Sequence, residues 1–391
     1  MNILILGIDG FLGWPLALHM KARGHELMGI DNGSRRQLVR EMGGDSAFDL
    51  PILKERASEL GIPVHWATVG GGNQNTDRTG TITEYAINAC RPDVIVNLAQ
   101  QPSAPYSMRG CQESQQTLLS NVSSMLEVLW VMRDHAPDAH LVSLGTLGEY
   151  GNPSVDIPEG WFDLQFRGRV TRAQFPRSPG SVYHATKVMS STLAEFACRC
   201  WKLTITDIMQ GVVYGTRTPE MGDPPKPELR TRFDFDGCFG TAINRYCAQA
   251  VLGLAITPYG AGGQTRGFLP LADSIQCIRL LIENAPKAGE YRVVNQLEEC
   301  WAVNDLALTV ARIAKGMGIA TNVESVTNPR IESEDHYYNP DHTTLLGLGY
   351  EPTGNLESVV AHMIEDLLPQ RERMRAYAGA MAPTINWRQA G

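Results

Sequence analysis

A glycine-rich turn close to the amino terminus constrains the fold of this chain more than any other feature. Residues 1–6 form a short apolar run, typical of a buried parallel strand, that leads directly into Gly7, Gly10 and Gly13. The first glycine permits a tight turn, the second lets the backbone approach a pyrophosphate, and the third lets helix and strand pack closely. An apolar helical pattern follows, so we predict a dinucleotide-binding unit whose helix amino terminus receives the phosphates.

The end of the next strand indicates which dinucleotide is bound. A strand predicted over residues 26–30 ends at Asp31, 18 residues after Gly13. A carboxylate at this position accepts hydrogen bonds from the adenosine ribose and repels a 2′-phosphate, which predicts NAD rather than NADP. Arg35 and Arg36 follow closely, and a nearby arginine can accommodate a 2′-phosphate, so NADP stays open as the alternative.

The pattern of strands and helices continues beyond this unit. Apolar segments over residues 93–99 and 140–144 alternate with a helical pattern over residues 121–132. We therefore predict an α/β protein with a doubly wound, parallel Rossmann sheet and a smaller carboxy-terminal substrate-binding domain. The chain has 391 residues, which suits an NAD-binding domain with the catalytic side chains over residues 1–215 and a mainly substrate-binding region over residues 216–391, some segments of which return to the Rossmann domain.

Composition excludes several classes of function. A net charge of −8 argues against a nucleic-acid surface, and the sequence contains no apolar run long enough for a membrane helix, for which about 18 residues are needed. The eight cysteines include no CxxC pair, so we expect reduced thiols and assign no metal ligands. Because the first strand starts at Asn2, there is no room for a signal peptide, and we expect a cytoplasmic protein.

Three side chains have the types and spacing of a hydride-transfer site. Thr146 follows the strand predicted over residues 140–144, and Tyr183 and Lys187 lie four residues apart, which places them on one face of a helix. The lysine ammonium can lower the pKa of the phenol and hold the cofactor ribose. The tyrosine then serves as acid or base at a hydroxyl or carbonyl, and the threonine hydroxyl can orient the same oxygen.

The residues expected to contact NAD lie in the glycine turn, at the strand ends beside it and in the catalytic segment. They are Gly7, Asp9, Gly10, Phe11, Leu12, Gly13, Asp31, Asn32, Arg35, Arg36, Leu98, Ala99, Gln100, Tyr183, Lys187 and Gln210.

The glycine turn and the catalytic residues together resemble the extended short-chain dehydrogenase/reductase family. Further blocks resemble one subgroup of that family, the UDP-sulfoquinovose synthases, and the similarity extends over nearly the whole chain. These blocks cover residues 103–108, 145–151, 210–215, 239–245, 262–267, 328–330 and 336–339.

This resemblance implies a cycle of reactions on UDP-glucose. NAD oxidises sugar C4 to a ketone, which acidifies the C5 proton. A base removes that proton, and the C6 hydroxyl leaves as water. Sulfite then adds at C6, and the hydride returns to C4. The resemblance also implies a homodimer formed through a two-helix face, with neither a nucleic acid nor a membrane as partner.

The resemblance also suggests roles for individual residues. Tyr183 is the base at C4, Lys187 its electrostatic partner and Thr146 the group that polarises O4. The elimination needs two further proton carriers, for which His184 and Glu149 are the candidates. Ordinary nucleotide-sugar dehydratases carry an Asp-Glu pair directly after the threonine, whereas this chain has Leu147 and Gly148, which argues against a plain 4,6-dehydratase.

Contacts to the nucleotide-sugar are assigned to polar side chains in the same blocks. Arg266, Arg330 and Gln210 are expected to hold the UDP, because arginine forms bidentate contacts with phosphate oxygens, and Tyr259 is expected near the uracil. The complete predicted set is Gln101, Ser103, Tyr106, Thr146, Gln210, Thr241, Arg245, Tyr259, Gln264, Arg266, Arg330 and His336.

Two departures from the subgroup leave alternatives open. Gln100, Gln101 and Pro102 stand where the subgroup has Glu-Gln-Arg, which removes a cation that would suit sulfite. Residues 69–83, rich in Gly, Asn and Thr, replace a Gly-Asp-Ile turn that touches adenine. The alternatives are a 5,6-dehydratase or 4-epimerase that acts without sulfite and a non-catalytic sensor of NAD or nucleotide-sugars. The intact Thr/Tyr/Lys set argues against the sensor.

Overall fold

The computed structural model describes residues 1–71, 80–333 and 336–387. Residues 72–79, part of the segment that replaces the adenine-contacting turn of the subgroup, lie outside them. The strands are β1 (Asn2–Leu6), β2 (Glu26–Asp31), β3 (Val64–Trp66), β4 (Val94–Asn97), β5 (His140–Thr146), β6 (Trp161–Phe166), β7 (Arg169–Gln174), β8 (Thr204–Gln210), β9 (Val212–Tyr214), β10 (Thr265–Pro270), β11 (Tyr291–Gln296) and β12 (Glu299–Ala302).

The α-helices connect these strands and pack on the sheets. They are α1 (Gly13–Ala22), α2 (Ser34–Glu41), α3 (Leu53–Glu59), α4 (Ile82–Cys90), α5 (Ala104–Ser107), α6 (Cys111–Leu118), α7 (Ser124–His135), α8 (Val182–Trp201), α9 (Ala242–Leu252), α10 (Leu271–Glu283), α11 (Val303–Gly316), α12 (Thr343–Gly347), α13 (Leu356–Leu367) and α14 (Arg371–Arg375). None of the described helices is long and apolar enough to cross a membrane.

The main sheet confirms the predicted Rossmann architecture. Its seven strands are all parallel and lie in the order β11-β8-β5-β4-β1-β2-β3. Residues 3–6 of β1 are fully buried, as the apolar run predicted, because helices cover both faces of the sheet. The chain passes from β3 across β2 and β1 to β4, so the strand order reverses beside β1. The loops after β1 and β4 therefore open a crevice at the carboxyl ends of the strands, where open α/β sheets bind ligands.

The carboxy-terminal half forms a second core. Helices α11 and α13 pack with α9 around a buried apolar cluster that includes Ile243, Leu306 and Val360. A small sheet, β12-β10-β9, lies at this end, whereas β11 and α10 return to the Rossmann sheet and its core. A domain division at residue 215 stays a prediction.

A two-stranded hairpin, β6-β7, was not predicted. Its loop is formed by Arg167 and Gly168, both with positive φ, which suits the tight turn of a two-residue hairpin. Most of the hairpin is exposed, including the apolar side chains of Phe166 and Val170. The alternation of Phe162, Leu164 and Phe166 with Asp163 and Gln165 is the sequence signal that could have predicted it.

Candidate active site

The turn after β1 can be built only with glycine at two of its three glycine positions. Gly7 has φ +85°, and a Cβ there would lie 2.6 Å from the carbonyl carbon of Leu98 at the end of β4. A Cβ on Gly13 would lie 2.2 Å from the oxygen of Gly7, so a side chain would separate helix from turn. Gly10 is less crowded, with 3.1 Å to the same oxygen. The turn therefore packs as the fingerprint predicts, strand against helix with backbone facing the crevice.

The first turn of α1 is free to receive an anion. Leu12 at its N-cap makes no side-chain hydrogen bond to the helix, and no acidic residue lies in the first turn. The amino-terminal amides and the positive end of the helix dipole are thus available to phosphate groups.

A cavity of about 850 Å³ opens above this helix end and runs to the end of β5. Fifteen of the sixteen residues predicted to contact NAD line it: Gly7, Asp9, Gly10, Phe11, Leu12, Gly13, Asp31, Asn32, Arg35, Leu98, Ala99, Gln100, Tyr183, Lys187 and Gln210.

Arg36 is the exception, because the structure does not bring it to the cavity. Its guanidinium pairs with the carboxylate of Asp9, with 2.6 Å from Nε to Oδ2 and 2.9 Å from Nη2 to Oδ1. Arg36 also donates to the carbonyl oxygens of Leu50 and Pro51. Sequence spacing placed this arginine near the ribose, but the buried carboxylate of Asp9 turns it away.

Two further features fit a dinucleotide. The carboxylate of Asp31 lies in the cavity wall and accepts hydrogen bonds from the amides of Asp9 (2.9 Å) and Gly33 (2.7 Å), which fix its orientation. Burial, followed by the charge of Asp9, raises the pKa of Asp31. Gln100 lines the same cavity, and its Nε2 is buried without a hydrogen-bond partner among the described residues. An unpaired buried donor costs free energy, so a ligand acceptor at this wall would satisfy it.

Thr146, Tyr183 and Lys187 meet at the other end of the cavity. Thr146 is the last residue of β5, and the two others lie on the first turns of α8, which Ser181 caps through the amide of His184. The side chains of Thr146 and Tyr183 are hydrogen-bonded. The ammonium of Lys187 is buried, donates to the carbonyl oxygen of Leu144 (2.5 Å), and lies 5.7 Å from the centre of the Tyr183 ring.

The pKa of Tyr183 differs from the sequence expectation. Burial and the charge of Glu149 raise it, and the hydrogen bond from Thr146 opposes this rise. Burial also lowers the pKa of Lys187. The Lys187 ammonium donates to the side chain of Gln100 and to the carbonyl oxygen of Leu144. In the protein without ligands, burial therefore raises the pKa of Tyr183 more than the ammonium lowers it.

His184 lies over the backbone of Gly148. A Cβ on Gly148 would approach the Nε2 of His184 to 2.4 Å, so the imidazole fills the space that a side chain at residue 148 would need. Its Nδ1 pairs with the hydroxyl of Ser181 at 3.0 Å, and its ring centre lies 5.1 Å from that of Tyr183. Burial, with the nearby charges of Arg330 and Arg266, lowers the pKa of His184 to about 3, so the imidazole is neutral.

Glu149 is not brought to the cavity. Its fully buried carboxylate pairs with Arg177, accepts from the amide of Thr146 (3.1 Å) and accepts from Ser191 (3.1 Å), whose hydroxyl also donates to Asp207. The prediction that it carries a substrate proton is therefore not favoured. Its contacts instead hold the backbone that presents Thr146.

The predicted substrate residues divide into those that line the cavity and those that do not. Gln101, Thr146, Gln210 and Thr241 line it. The remaining eight are Ser103, Tyr106, Arg245, Tyr259, Gln264, Arg266, Arg330 and His336.

Ser103 and Tyr106 have structural contacts. The hydroxyl of Ser103 accepts from the amide of Tyr106 (3.0 Å) at the start of α5 and donates to the carbonyl oxygen of Cys238 (2.7 Å). Tyr106 is buried, packs against the ring of Phe239 and donates to Gln116 (2.6 Å). Both residues support the cavity wall rather than form it.

The predicted UDP arginines lie in a neighbouring cluster and are engaged by protein groups. Arg266 pairs with Glu332, and Arg245 pairs with the hydroxyl of Tyr259. Arg330 is partly buried, its buried Nε has no hydrogen-bond partner among the described residues, and desolvation lowers its pKa. Three guanidinium groups thus lie close together, and within residues 1–71, 80–333 and 336–387 the carboxylate paired with one of them is that of Glu332.

Gln264 and His336 contact residues of this arginine cluster. Gln264 donates to the carbonyl oxygen of Tyr259 at 3.1 Å, and His336 Nε2 lies 3.3 Å from Arg266 Nη1 and 3.2 Å from the oxygen of Thr265. Neither residue lines the cavity.

The carboxy-terminal segment covers the arginine cluster, which the sequence did not indicate. The amide of Trp387 donates to the carbonyl oxygen of Pro329 at 2.8 Å, and the guanidinium of Arg330 lies 5.5 Å from the centre of its indole. Ile385 packs into the apolar cluster with Phe239. The segment has a mixed composition without periodicity, so only the folded chain shows where it lies.

Comparison with known proteins places this geometry in a family. Residues 3–295 match the model of the NAD dependent epimerase/dehydratase family. The chain is 45% identical to the UDP-sulfoquinovose synthase of Sulfolobus acidocaldarius, over 100% of this chain and 98% of that one. It is 36% identical to the chloroplastic UDP-sulfoquinovose synthase of Spinacia oleracea, over 100% of this chain and 80% of that one.

The fold is also that of solved nucleotide-sugar enzymes. The UDP-glucuronic acid 4-epimerase of Bacillus cereus, in complex with UDP-glucuronic acid and NAD, matches with a TM-score of 0.69 and 18% identity, over 94% of this chain and 99% of that one. Fold and site together define an NAD-dependent enzyme of the extended short-chain dehydrogenase type. The chain belongs to the NAD dependent epimerase/dehydratase family, in the branch that includes the UDP-sulfoquinovose synthases.

Proposed function

We propose that this enzyme makes UDP-sulfoquinovose from UDP-glucose and sulfite. The observation that carries the proposal is the position of His184 behind the cavity wall, where it packs over Gly148 with its ring centre 5.1 Å from that of Tyr183, which lines the cavity. This position supports His184 as a third proton-transferring group next to the Thr/Tyr/Lys set, which an elimination needs and a simple epimerisation does not. The similarity to the synthases over the full chain supports the same reaction.

The cofactor is held by the glycine turn, the amino terminus of α1, Asp31 and Lys187. When bound there, NAD would supply a reversible hydride acceptor for sugar C4, so the overall reaction would need no external oxidant or reductant. The turn brings its backbone against the crevice, and Asp31 presents a fixed carboxylate to the ribose hydroxyls.

Tyr183 exchanges the proton of the C4 hydroxyl, and Thr146 holds the same oxygen. Because burial raises the pKa of Tyr183, its phenol is protonated in the resting protein and must lose that proton before it acts as a base. The Lys187 ammonium, 5.7 Å from the ring centre, is the cation positioned to stabilise the phenolate. The raised pKa makes the same phenol a ready acid when C4 is reduced again.

His184 is proposed to move the C5 proton. The C4 ketone acidifies the C5–H bond, and the neutral imidazole can accept that proton while the C6 hydroxyl leaves with a proton as water. The sulfur lone pair of sulfite then forms a bond to C6 of the 5,6-ene, and C5 regains a proton. The balance is one UDP-glucose and one hydrogen sulfite consumed, with one UDP-sulfoquinovose and one water formed.

One observation favours a second candidate, a 5,6-dehydratase or 4-epimerase that acts without sulfite. Gln100, Gln101 and Pro102 line this part of the cavity wall, and the resemblance to the synthases implies an arginine at the position of Pro102 in that subgroup. A proline has no charge to attract a sulfite dianion. Sulfite would then have to be attracted by Lys187 or by the arginine cluster.

The test compares the two candidates in one experiment. Purified protein is incubated with NAD and UDP-glucose, with and without sulfite, and the products are identified by mass spectrometry. A sulfonated hexose nucleotide that forms only with sulfite supports the synthase. Loss of water without sulfite supports the dehydratase, and conversion to UDP-galactose supports the epimerase; either result overturns the proposed reaction.

We also propose a homodimer formed through α7 and α8. Both helices expose large apolar side chains, among them Leu126, Trp130, Met189 and Phe196, on a face where Trp130 also contacts Trp201. A second copy of the chain would bury this face against itself. Sedimentation of the wild type and of Trp130→Glu should give a dimer and a monomer. A wild type that sediments as a monomer contradicts the proposal.

We propose a reducing compartment such as the cytoplasm as the place of action. All eight cysteines are free thiols, which persist where disulfides are kept reduced. To test this, intact cells are treated rapidly with an alkylating reagent, and the protein is then isolated to measure which of its cysteines are alkylated. Cysteines that were oxidised in the cell, and therefore escaped alkylation, would contradict the proposal.

A further inference from the structure

The two arginines that follow β2 are both held by buried carboxylates. Arg36 makes a two-point ion pair with Asp9, at 2.6 and 2.9 Å, and Asp9 is only 3% exposed. Arg35 pairs with Asp234 at 2.7 Å, donates to the carbonyl oxygen of Phe239 and lies over its ring at 4.5 Å. Each guanidinium would therefore have to leave its carboxylate partner before it could bind a ligand in the cavity.

Asp9 binds a second arginine from behind. Arg56, which is 1% exposed, donates to Asp9 at 2.7 Å and to the carbonyl oxygen of Arg230 at 3.0 Å, and its guanidinium lies 4.0 Å from the centre of the Trp14 ring. Asp9 thus pairs with two guanidinium groups, and removing one partner of such a buried pair is strongly unfavourable.

Asp9 is also in direct contact with Asp31, the residue that faces the ribose. The amide of Asp9 donates to Asp31 at 2.9 Å, and both residues line the cavity, whereas Arg36 and Arg56 do not. The charge of Asp9 adds to burial in raising the pKa of Asp31. The wall near the ribose therefore contains Asp9 and Asp31, with Arg36 and Arg56 outside the cavity, and the guanidinium of Arg35, which does line the cavity, is paired with Asp234.

We propose that Asp9 is a second determinant of NAD selection, because it holds Arg36 away from the position of a 2′-phosphate. A 2′-phosphate needs a free arginine for charge-assisted hydrogen bonds. Replacing Asp31 removes repulsion but supplies no cation as long as Asp9 keeps Arg36. The inference concerns cofactor choice alone and does not depend on which sugar the enzyme converts.

The first experiment replaces only Asp31, with the isosteric asparagine. Dissociation constants of Asp31→Asn for NAD, NADP and 2′-phospho-ADP-ribose are measured by calorimetry, without substrate. We expect NADP to stay at least about tenfold weaker than NAD, the loss that one missing charge-assisted pair gives. Equal affinity of Asp31→Asn for the two cofactors shows that an arginine is already available and overturns the proposal.

The second experiment releases the arginine. In Asp9→Asn/Asp31→Asn, the preference for NAD over NADP should fall by about tenfold or more relative to Asp31→Asn, because Arg36 is freed. Adding Arg36→Leu should restore the original preference. A shift that survives Arg36→Leu, or no shift in a folded double variant, contradicts the proposal. If the double variant does not fold, the result with Asp31→Asn alone still decides.

Asp366 offers a matched control. It is also buried and makes a two-point ion pair with an arginine, Arg217, with both distances 2.8 Å, but it does not line the cavity. Asp366→Asn in the Asp31→Asn background should cost stability without changing the NAD-to-NADP preference. An equal shift in this control would show that loss of a buried ion pair alone changes the preference, which contradicts the role of Asp9.

Discussion

The two ends of the site are built in different ways. The cofactor end is open, with a cavity of about 850 Å³, a glycine turn that tolerates no side chain at two positions and a helix terminus without a side-chain cap. At the arginine cluster, protein groups engage the cations that a diphosphate would need: Arg266 pairs with Glu332, and Arg330 lies beneath Trp387. The cofactor end is therefore preformed, whereas the arginine cluster must exchange internal partners for a ligand.

This difference follows from where the residues come from in the chain. The glycine turn, α1 and Asp31 all lie within the first 31 residues of the chain. The arginine cluster draws its members from α9, β10, the segment around residue 330 and the carboxy-terminal segment. Local units are organised by short-range packing, whereas a site assembled from distant segments depends on the whole fold.

The largest effect on turnover is expected from a substitution of Tyr183, which lines the cavity. Tyr183→Phe should lower kcat by about 10²- to 10⁴-fold, because it removes the group that transfers the C4 proton, while NAD binding is kept. Turnover and NAD affinity are measured together. Tyr106→Phe is the control, since it also loses a hydroxyl near the cavity but one that bonds to Gln116. Normal turnover by Tyr183→Phe contradicts the assignment of the trio.

His184→Gln is expected to lower the rate of the overall reaction less than Tyr183→Phe does, and to act on the elimination step alone. If the imidazole moves the C5 proton, oxidation at C4 continues while the elimination slows by about 10²-fold. Addition of UDP-glucose should then give a rise in NADH absorbance that persists instead of decaying. Gly148→Ala should have the same effect in weaker form, because a Cβ there would meet the imidazole at 2.4 Å. Equal loss of C4 oxidation and elimination would place His184 outside the elimination step.

At the cofactor end, Gly13→Ala should weaken NAD binding and stability together. Its Cβ would lie 2.2 Å from the Gly7 oxygen, so α1 must move away from the turn that receives the phosphates. We expect an NAD dissociation constant at least about tenfold higher, which equals the loss of one charge-assisted hydrogen bond. Gly24→Ala is the control, because its positive φ is strained but no atom lies within 4 Å of the added Cβ. Unchanged NAD affinity in Gly13→Ala refutes the preformed turn.

The smallest effect is expected at the arginine cluster and has the opposite sign. Glu332→Gln removes the carboxylate that pairs with Arg266, which is partly exposed, so UDP should bind about two- to fivefold more tightly. The dissociation constant for NAD should not change. Fluorescence titration with UDP alone measures the effect, and weaker binding would show that Glu332 supports the ligand rather than competes with it.

Much of the fold and the cofactor site could be predicted from the sequence, because each part carries a local signal. The apolar strand, the glycine spacing, Asp31 and the Tyr183–Lys187 spacing are read within short windows, and the structure places all of them at one cavity. What could not be predicted depends on long-range partners. Arg36 faces Asp9, 27 residues away in the chain, and Glu149 is drawn below the site by Arg177. The hydrogen bond from the amide of Trp387 to the carbonyl oxygen of Pro329 could not be predicted either, because the carboxy-terminal segment shows no helix or strand periodicity.

The central claim is that a single hydride leaves C4 and returns to it while C6 exchanges its hydroxyl for a sulfonate. The most direct measurement supplies the NAD-loaded enzyme with UDP-glucose carrying deuterium at C4, together with sulfite in ordinary water, and follows the product by mass spectrometry and NMR. We expect a sulfonated hexose nucleotide that forms only with sulfite and keeps the deuterium at C4. A product without sulfonate, or a sulfonated product that has lost the deuterium, would contradict it.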